Sequence, residues 1–238
     1  MRSLKLAIIA LLFTAQAWAG ASRSFDGTND EIDMGNVLDV TTGSVSLCQW
    51  IKPTDDADAD TWLGKKNSAT TAAGYHIRQG VGDPHGAVIA DGTNQIVSAS
   101  PNDLDGVWTY VCSVYDGVLS STNLLYENGV QVDSDANILV LSLTNAVVLQ
   151  IGETADDATD ANGLASYGSV WVGTILNVQQ ISELMWKPDM AELASGFWPL
   201  WGDSPEIDLS AGAVGGTVTG ATTSSDGPPV MFGGGLPL

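Results

Sequence analysis

The chain has 238 residues, which is the length of one all-β domain or of one domain with tails. It carries 28 acidic against 8 basic side chains, for a formal net charge of −20. A negative charge of this size repels nucleic acid and anionic lipid, so both are excluded as partners.

Residues 1–19 have the pattern of a signal peptide. Arg2 and Lys5 precede the apolar run 6–13, and residues 17–19 (AWA) form a small-x-small cleavage pattern. No later apolar run reaches the ~18 residues needed to cross a bilayer. We therefore expect a secreted chain, extracellular, periplasmic or on a virion surface, with no membrane insertion after cleavage. An uncleaved N-terminal anchor is the alternative.

The segment after residue 20 is typical of short β-strands. Residues 45–51 and 108–115 alternate between apolar and polar positions, and turn signals such as Asn128-Gly129 separate the strands. Further strands are predicted in a series along the chain: 75–78, 87–90, 124–127, 131–133, 138–143, 146–151 and 171–178. The fold class is therefore all-β.

One short helix is expected. Asp189 and Glu192 form an acidic variant of a capping box, and Gly196 stands at the stop, so a helix is predicted near 189–195. After Gly196 the composition shifts to glycine, threonine and proline. Residues 197–200 and 214–221 could add a strand, whereas 224–238 is typical of a mobile tail.

The two cysteines are Cys48 and Cys112. An even pair in an oxidising compartment usually forms a disulfide, and each cysteine shares a strand face with a tryptophan. We expect a bridge that encloses a long loop; two free buried thiols are the alternative.

A set of landmarks resembles, in order, those of concanavalin A-like jelly rolls, nearest to the laminin-G-like and pentraxin-like group. They are residues 24–30 (SFDGTND), 45–53, 105–108 (DGVW), 115–117 (YDG), 126–129 (YENG), 151–152 and 172–173. The resemblance covers about residues 24–196 and implies a two-sheet antiparallel β-sandwich. It also implies a bridge between Cys48 and Cys112, because pentraxins link two matching strands. The expected boundaries are a jelly-roll domain at 20–196 and a Gly/Pro-rich C-terminal extension at 197–238.

Two stretches resemble the start of a glycosidase acid motif. Glu31 and Asp33, like Glu206 and Asp208, stand two apart on a strand and would share a face. The jelly-roll glucanases carry a third carboxylate at the next alternate position, but this chain has Gly35 and Ser210 there. Without that general acid we expect no enzyme activity.

Calcium is the one cofactor expected. The loop after the strand at 146–151 resembles the position of the acidic calcium loop of pentraxins, and Glu153, Asp156 and Asp157 are its candidate ligands. A solvated acidic loop is the alternative.

Sugar recognition requires aromatic rings that stack on pyranose faces, with polar groups that hold hydroxyls. Four aromatic residues near predicted loops or strand ends are the candidates: Trp62, Tyr75, Tyr167 and Trp171. For each, packing in the core or on a sheet is the alternative.

The sequence thus favours a secreted, non-catalytic recognition module that binds glycan on a cell or particle surface, with calcium as a candidate aid. The alternative is a structural or display protein of phage or metagenomic type, such as a virion decoration or surface-layer component, whose tail docks to a neighbour. The oligomeric state is left open.

Overall fold

The computed structural model describes residues 21–41, 43–54, 59–81, 85–137, 142–202 and 204–230. Within them, antiparallel strands form two sheets, one of eight strands and one of seven, with an apolar core between the sheets. The predicted all-β, two-sheet sandwich is confirmed. The predicted signal peptide lies outside the described residues.

The strands in chain order are β1 (Ser22–Asp26), β2 (Glu31–Asp33), β3 (Ser44–Pro53), β4 (Thr61–Lys65), β5 (Gly74–Gln79), β6 (His85–Ala90), β7 (Gln95–Ala99), β8 (Thr109–Asp116), β9 (Thr122–Glu127), β10 (Val130–Ala136), β11 (Gln150–Ile151), β12 (Asn162–Val172), β13 (Gly196–Trp198), β14 (Thr217–Thr219) and β15 (Thr222–Ser224). The eight-stranded sheet has the order β10-β9-β8-β3-β12-β1-β15, and β13 also pairs with β12. The seven-stranded sheet has the order β14-β2-β11-β4-β5-β6-β7.

The chain has one helix that was not predicted, and the predicted helix is of another type. An α-helix, α1, spans Val178–Trp186 and begins with a capping box between Asn177 and Gln180. The predicted helix near 189–195 is a 3₁₀ helix, Pro188–Leu193. The strand expected at 171–178 therefore ends at Val172, because the following residues lead into α1.

Apolar side chains form two separate cores. The larger lies between the sheets and contains Trp62, Tyr75 and Ile151. The second lies on the other side of the eight-stranded sheet, where α1 and the 3₁₀ helix cover Trp50, Tyr110 and Tyr167. One outer face of the sandwich is therefore covered by helix, and ligands have to be sought on the other.

The Cys48–Cys112 disulfide is confirmed. The two cysteines are directly opposite each other on the neighbouring strands β3 and β8. The bond lies in the second core, against α1, and not between the sheets.

The segment after residue 196 is part of the sandwich. Strand β14 pairs with β2, and β15 pairs with β1, so the segment extends both sheets. Beyond β15, Asp226 accepts hydrogen bonds from Lys52 Nζ at 2.6 Å and from Trp108 Nε1 at 2.9 Å. The expected boundary at residue 196 thus does not mark the end of the folded unit, and the expected tail is docked at least as far as Asp226.

Two smaller differences concern the chain before β12. Of the strand expected at 138–143, residues 138–141 lie outside the described part, and Ser142 and Leu143 are not in a strand. Of the strand expected at 146–151, only β11 forms. No helix among the described residues is long and apolar enough to cross a membrane.

Candidate functional site

The outer face of the seven-stranded sheet carries polar side chains. Alternation places Ile32, Tyr75, Ile77 and Ile151 in the core between the sheets, so their strand neighbours point the other way. These neighbours define the surface that we call the polar face: Glu31 and Asp33 on β2, Gln150 on β11, His76 and Arg78 on β5.

Gly64 lies at the centre of the polar face. It pairs with Gln150 on β11 and with His76 on β5, so the three form one row across the sheet. A Cβ atom at Gly64 would lie 2.2 Å from His76 Cβ and 2.7 Å from the Tyr75 carbonyl oxygen. Glycine is thus required by the close approach of β5, because β5 and the base of the His76 side chain already fill the space that a side chain at position 64 would need.

Three buried polar atoms on or beside the polar face have no hydrogen-bond partner among the described residues: Gln150 Oε1, His76 Nδ1 and Glu153 Oε1. Gln150 uses its amide nitrogen to donate to Glu31 Oε2. Glu153 follows β11 by two residues and is only 4% exposed. Because buried polar atoms are nearly always partnered in folded proteins, these three mark a place where water or a ligand completes the hydrogen bonding.

Burial and charge control the protonation of this region. Burial, with the nearby Asp160, Asp157 and Glu31 carboxylates, raises the pKa of Glu153 to about 8. Burial also lowers the pKa of His76 well below its usual value, and the Lys66 and Arg78 charges lower it further. At neutral pH the Glu153 carboxyl is therefore mostly protonated and the His76 ring is neutral, so both can donate as well as accept hydrogen bonds.

Two cations adjoin His76. Lys66 directly follows β4, and Arg78 is two residues along β5 from His76. Burial, together with the Arg78 charge, lowers the pKa of Lys66 to about 8, and the Asp156 charge acts against this shift. The polar face thus has the carboxyl groups of Glu31 and Glu153 on one side and the cations Lys66 and Arg78 on the other.

Only two of the three expected calcium ligands lie together: Glu153 and Asp157 are within hydrogen-bond reach of each other. Asp156 is an exposed carboxylate that accepts hydrogen bonds from Ser68 N at 2.8 Å and Ser68 Oγ at 2.7 Å. Burial alone would raise the pKa of Asp156, but these bonds hold it below its usual value. Glu153 is buried, whereas Asp157 is exposed. Within the described ranges no group of three histidine, cysteine or acidic side chains is arranged to hold a metal ion. Calcium binding by Glu153, Asp156 and Asp157 stays a prediction of the sequence.

The prediction that four aromatic residues stack on sugar is wrong for three of them, because their rings are not exposed. Trp62 and Tyr75 are both 0% exposed in the core between the sheets. Tyr167 lies in the second core, edge-on to Trp201 at 6.4 Å between ring centroids. Trp171 is partly buried against the same core. The four rings therefore lie on different sides of the eight-stranded sheet and offer no common stacking surface.

Both acid pairs of the glycosidase-like stretches are engaged in structural contacts. Glu206 Oε2 forms a buried ion pair with Arg23 at 3.0 Å. Asp208 accepts hydrogen bonds from the backbone N–H groups of Phe197 and Val214, at 2.9 and 2.8 Å. On β2, Asp33 accepts from Gly35 N at 2.6 Å. These contacts agree with the expectation that the stretches are not catalytic.

Sequence reasoning did not identify His76, Arg78 or Gln150 as site residues. The alternation of Tyr75 and Ile77 with His76 and Arg78 was a usable signal, because it puts the two polar residues on one face. Gln150 carried no such signal, because its strand has only two residues.

The sequence and the fold are similar to those of known proteins. The sequence profile described as the concanavalin A-like lectin/glucanases superfamily matches residues 26–182. The chain belongs to this superfamily. No curated protein sequence matches it significantly.

Several solved concanavalin A-like structures are similar to this one. A candidate carbohydrate-binding protein from Bacteroides ovatus has 16% identity and a TM-score of 0.68, over 90% of this chain and 62% of the other. A heptameric pentraxin from Limulus polyphemus has 17% identity and a TM-score of 0.55, over 70% and 82%. The NanB sialidase from Streptococcus pneumoniae has 18% identity and a TM-score of 0.54, over 69% of this chain but 27% of the sialidase. At these identities the similarity shows a shared fold.

Proposed function

We propose that the chain is a secreted, non-catalytic carbohydrate-binding module whose binding surface is the polar face. The observation that carries this proposal is the set of three buried, unpartnered polar atoms, on Gln150, His76 and Glu153, on and beside the polar face. Sugar hydroxyls both donate and accept hydrogen bonds. They can therefore complete all three groups at once, which an apolar ligand cannot.

The opposite outer face of the sandwich is a poorer candidate. Its central side chains, among them Trp50 and Tyr110, are packed under α1 and the 3₁₀ helix. A glycan could reach them only by displacing both helices and the apolar core beneath them. Neither helix covers the polar face, although Gln150, Glu153 and His76 are only 3%, 4% and 5% exposed there, so a glycan has to displace side chains but no helix.

Two observations support a binding role without catalysis. The acid pair at Glu206 and Asp208 is buried and bonded within the chain. On the polar face, Glu31 accepts from Gln150, and Gly35 stands where a third carboxylate would be needed. The face thus has groups that hold hydroxyls, while β2 does not carry the three alternate carboxylates of the glucanase motif.

Secretion is supported by the signal pattern at 1–19 and by the disulfide, which is a feature of oxidising compartments. Calcium assistance through Glu153, Asp156 and Asp157 stays a prediction of the sequence, and glycan binding is proposed without it. The Bacteroides ovatus neighbour agrees with a carbohydrate-binding role through its fold alone.

The structural or display role has less support. It relied on a free C-terminal segment that docks to a neighbouring molecule. That segment contributes β14 and β15 to its own sandwich, and Asp226 is bonded to Lys52 and Trp108. The contacts of these described residues are thus made within the chain.

The test is a glycan array with residues 20–238, with and without a chelator, followed by affinity measurements on the best glycan. We expect Gln150→Ala to weaken binding at least about tenfold, because it removes a buried hydrogen-bonding group worth about 1.5 kcal/mol. Gln179→Ala on the exposed side of α1 is the matched control and should leave affinity unchanged. Failure of the wild-type chain to bind any glycan, or equal affinities of both variants, would contradict the proposal. Loss of binding on chelation would support calcium.

A further inference from the structure

The cations of this chain are few, and most are neutralised. Of the six basic residues after residue 20, three form ion pairs: Arg23 with Glu206, Lys52 with Asp226, and Lys65 with Asp39. Lys187 is exposed at the end of α1. The remaining two are Lys66 and Arg78. Among the described residues neither has an ion pair, although the chain carries 28 acidic side chains.

Lys66 is held in place by backbone carbonyls. Its side chain is buried, and Nζ donates to the carbonyl oxygens of Asn67 at 3.0 Å and Ala69 at 2.6 Å. An ammonium has three N–H donors, so one donor remains. The nearest acidic influence is Asp156, whose carboxylate is occupied by Ser68.

Arg78 has even fewer contacts. It is half-buried on β5, and its guanidinium makes no hydrogen bond within the described part of the chain. Burial lowers its pKa. Its partner on β6 is Gly86, which has no side chain to cover it. A half-buried guanidinium thus offers its donors at the surface, next to a second cation that repels it.

We propose that Lys66 and Arg78 form an anion subsite on the polar face, which selects glycans that bear a carboxylate or sulfate group. An anion between the two cations would relieve their mutual repulsion and would fill the free donors of both, with the planar fork of Arg78 suited to a carboxylate or sulfate. The neutral His76 ring lies beside the subsite and would contact the rest of the sugar.

This subsite rests on the proposed function, since it presupposes that the polar face binds glycan. It also orients the glycan on that face. Sugar hydroxyls would bind at Glu31, Gln150 and Glu153, and the anionic substituent would bind at Lys66 and Arg78. The high net negative charge of the chain repels anions in general, so selection depends on these two local charges.

The test compares ligands that differ only in charge. Affinities of residues 20–238 are measured for trigalacturonate and its methyl ester, and for a sulfated galactan oligosaccharide and its desulfated form. We expect the wild-type chain to prefer at least one free anion about tenfold or more over its neutral partner. The two pairs show whether carboxylate or sulfate is the preferred group.

Variants assign the preference to the two cations. Arg78→Gln and Lys66→Gln should abolish the preference for the anion while the affinity for the neutral partner changes less than about twofold. Lys187→Gln, an exposed cation at the end of α1, is the matched control and should keep the full preference. Thermal unfolding of each variant shows whether it is folded. The preference of the wild-type chain for the anion is measured independently of the variants.

Three outcomes overturn the subsite in different ways. Equal wild-type affinity for charged and neutral partners, with clear binding of both, overturns the anion subsite and leaves the proposed function standing. An anion preference that survives Arg78→Gln and Lys66→Gln places the subsite elsewhere. Binding of none of the four ligands, together with a blank glycan array, overturns the subsite and the proposed function together.

Discussion

At the scale of single residues, buried carboxyl groups are accommodated in two ways. Arg23 and Glu206 are both buried and neutralise each other across 183 residues of sequence. Glu153 has no cation beside it and keeps its proton instead, because neighbouring carboxylates and burial raise its pKa to about 8. A buried acid is thus either paired or protonated, and each state leads to a stability prediction.

Removal of the charge at Glu206 should be costly. Glu206→Gln leaves the Arg23 guanidinium buried without its counter-ion, and we expect the free energy of unfolding to fall by about 3 kcal/mol or more. Glu192→Gln, at an exposed position of the 3₁₀ helix, is the control. Urea unfolding measures both. A Glu206→Gln variant as stable as the control would show that the pair does not hold the C-terminal segment to β1.

Ionisation of Glu153 should make stability depend on pH. Its pKa is raised from an ordinary value of 4.5 to about 8 in the folded chain, so the folded state holds this proton more tightly than the unfolded state. The resulting stability is fully present below about pH 4.5 and is lost as the pH rises through about 8. We expect Glu153→Gln to lose less stability than the wild type between pH 5 and pH 9 in urea unfolding. Equal losses would mean that Glu153 is already ionised at pH 5.

At the scale of elements, the contacts that complete the sandwich are long-range. Strand β15 pairs with β1 across about 200 residues of chain, and β14 pairs with β2. Ser22 Oγ donates to the Asp226 carbonyl oxygen at 2.6 Å, which joins the start of β1 to the segment after β15. The two ends of the domain therefore stabilise each other.

Deletion of residues 214–238 should destabilise the domain. It removes β14 and β15 and the carbonyl of Ala221 that accepts from Arg23, and it exposes the edges of β1 and β2. We expect a loss of about 4 kcal/mol or more, roughly 10 °C in Tm for a domain of this size. Asp226→Asn weakens only the hydrogen bonds of the Asp226 side chain and should lower the free energy of unfolding by less. A truncated chain that unfolds at the full-length temperature would contradict this role.

The helices show where sequence patterns were and were not sufficient. Residues 178–186 carry Ile181, Leu184 and Met185 at helical spacing, and Asn177 with Gln180 forms the capping box, so α1 had a readable signal. The prediction missed it because the apolar residues just before it continue the strand pattern of β12. The 3₁₀ helix was correctly placed near 189–195 but is shorter and tighter than the predicted helix, since Pro188 stands at its start.

At the scale of the whole molecule, alternation predicted the strands, and the resemblance to concanavalin A-like jelly rolls predicted the sandwich and the Cys48–Cys112 bridge, but neither predicted the site. Alternation shows that Tyr75 and His76 lie on opposite faces of β5, yet it does not show which face meets the other sheet. The aromatic residues chosen for sugar stacking proved to face the cores, and the polar neighbours of Tyr75 on β5 lie on the polar face. The row of Gln150, Gly64 and His76 depends on the pairing of β4 with the distant β11 as well as with β5, which no local pattern encodes.

The central claim is that glycan binds the polar face, and an NMR titration of the ¹⁵N-labelled chain with the best array glycan tests it most directly. We predict chemical-shift changes at the Gln150 side-chain amide, the His76 ring and the Arg78 Nε–H. The indole N–H signals of Trp108, Trp171 and Trp201, on the side of the eight-stranded sheet, should stay unmoved. Shifts confined to those indoles would place the ligand on the opposite side of the sandwich and would contradict the account.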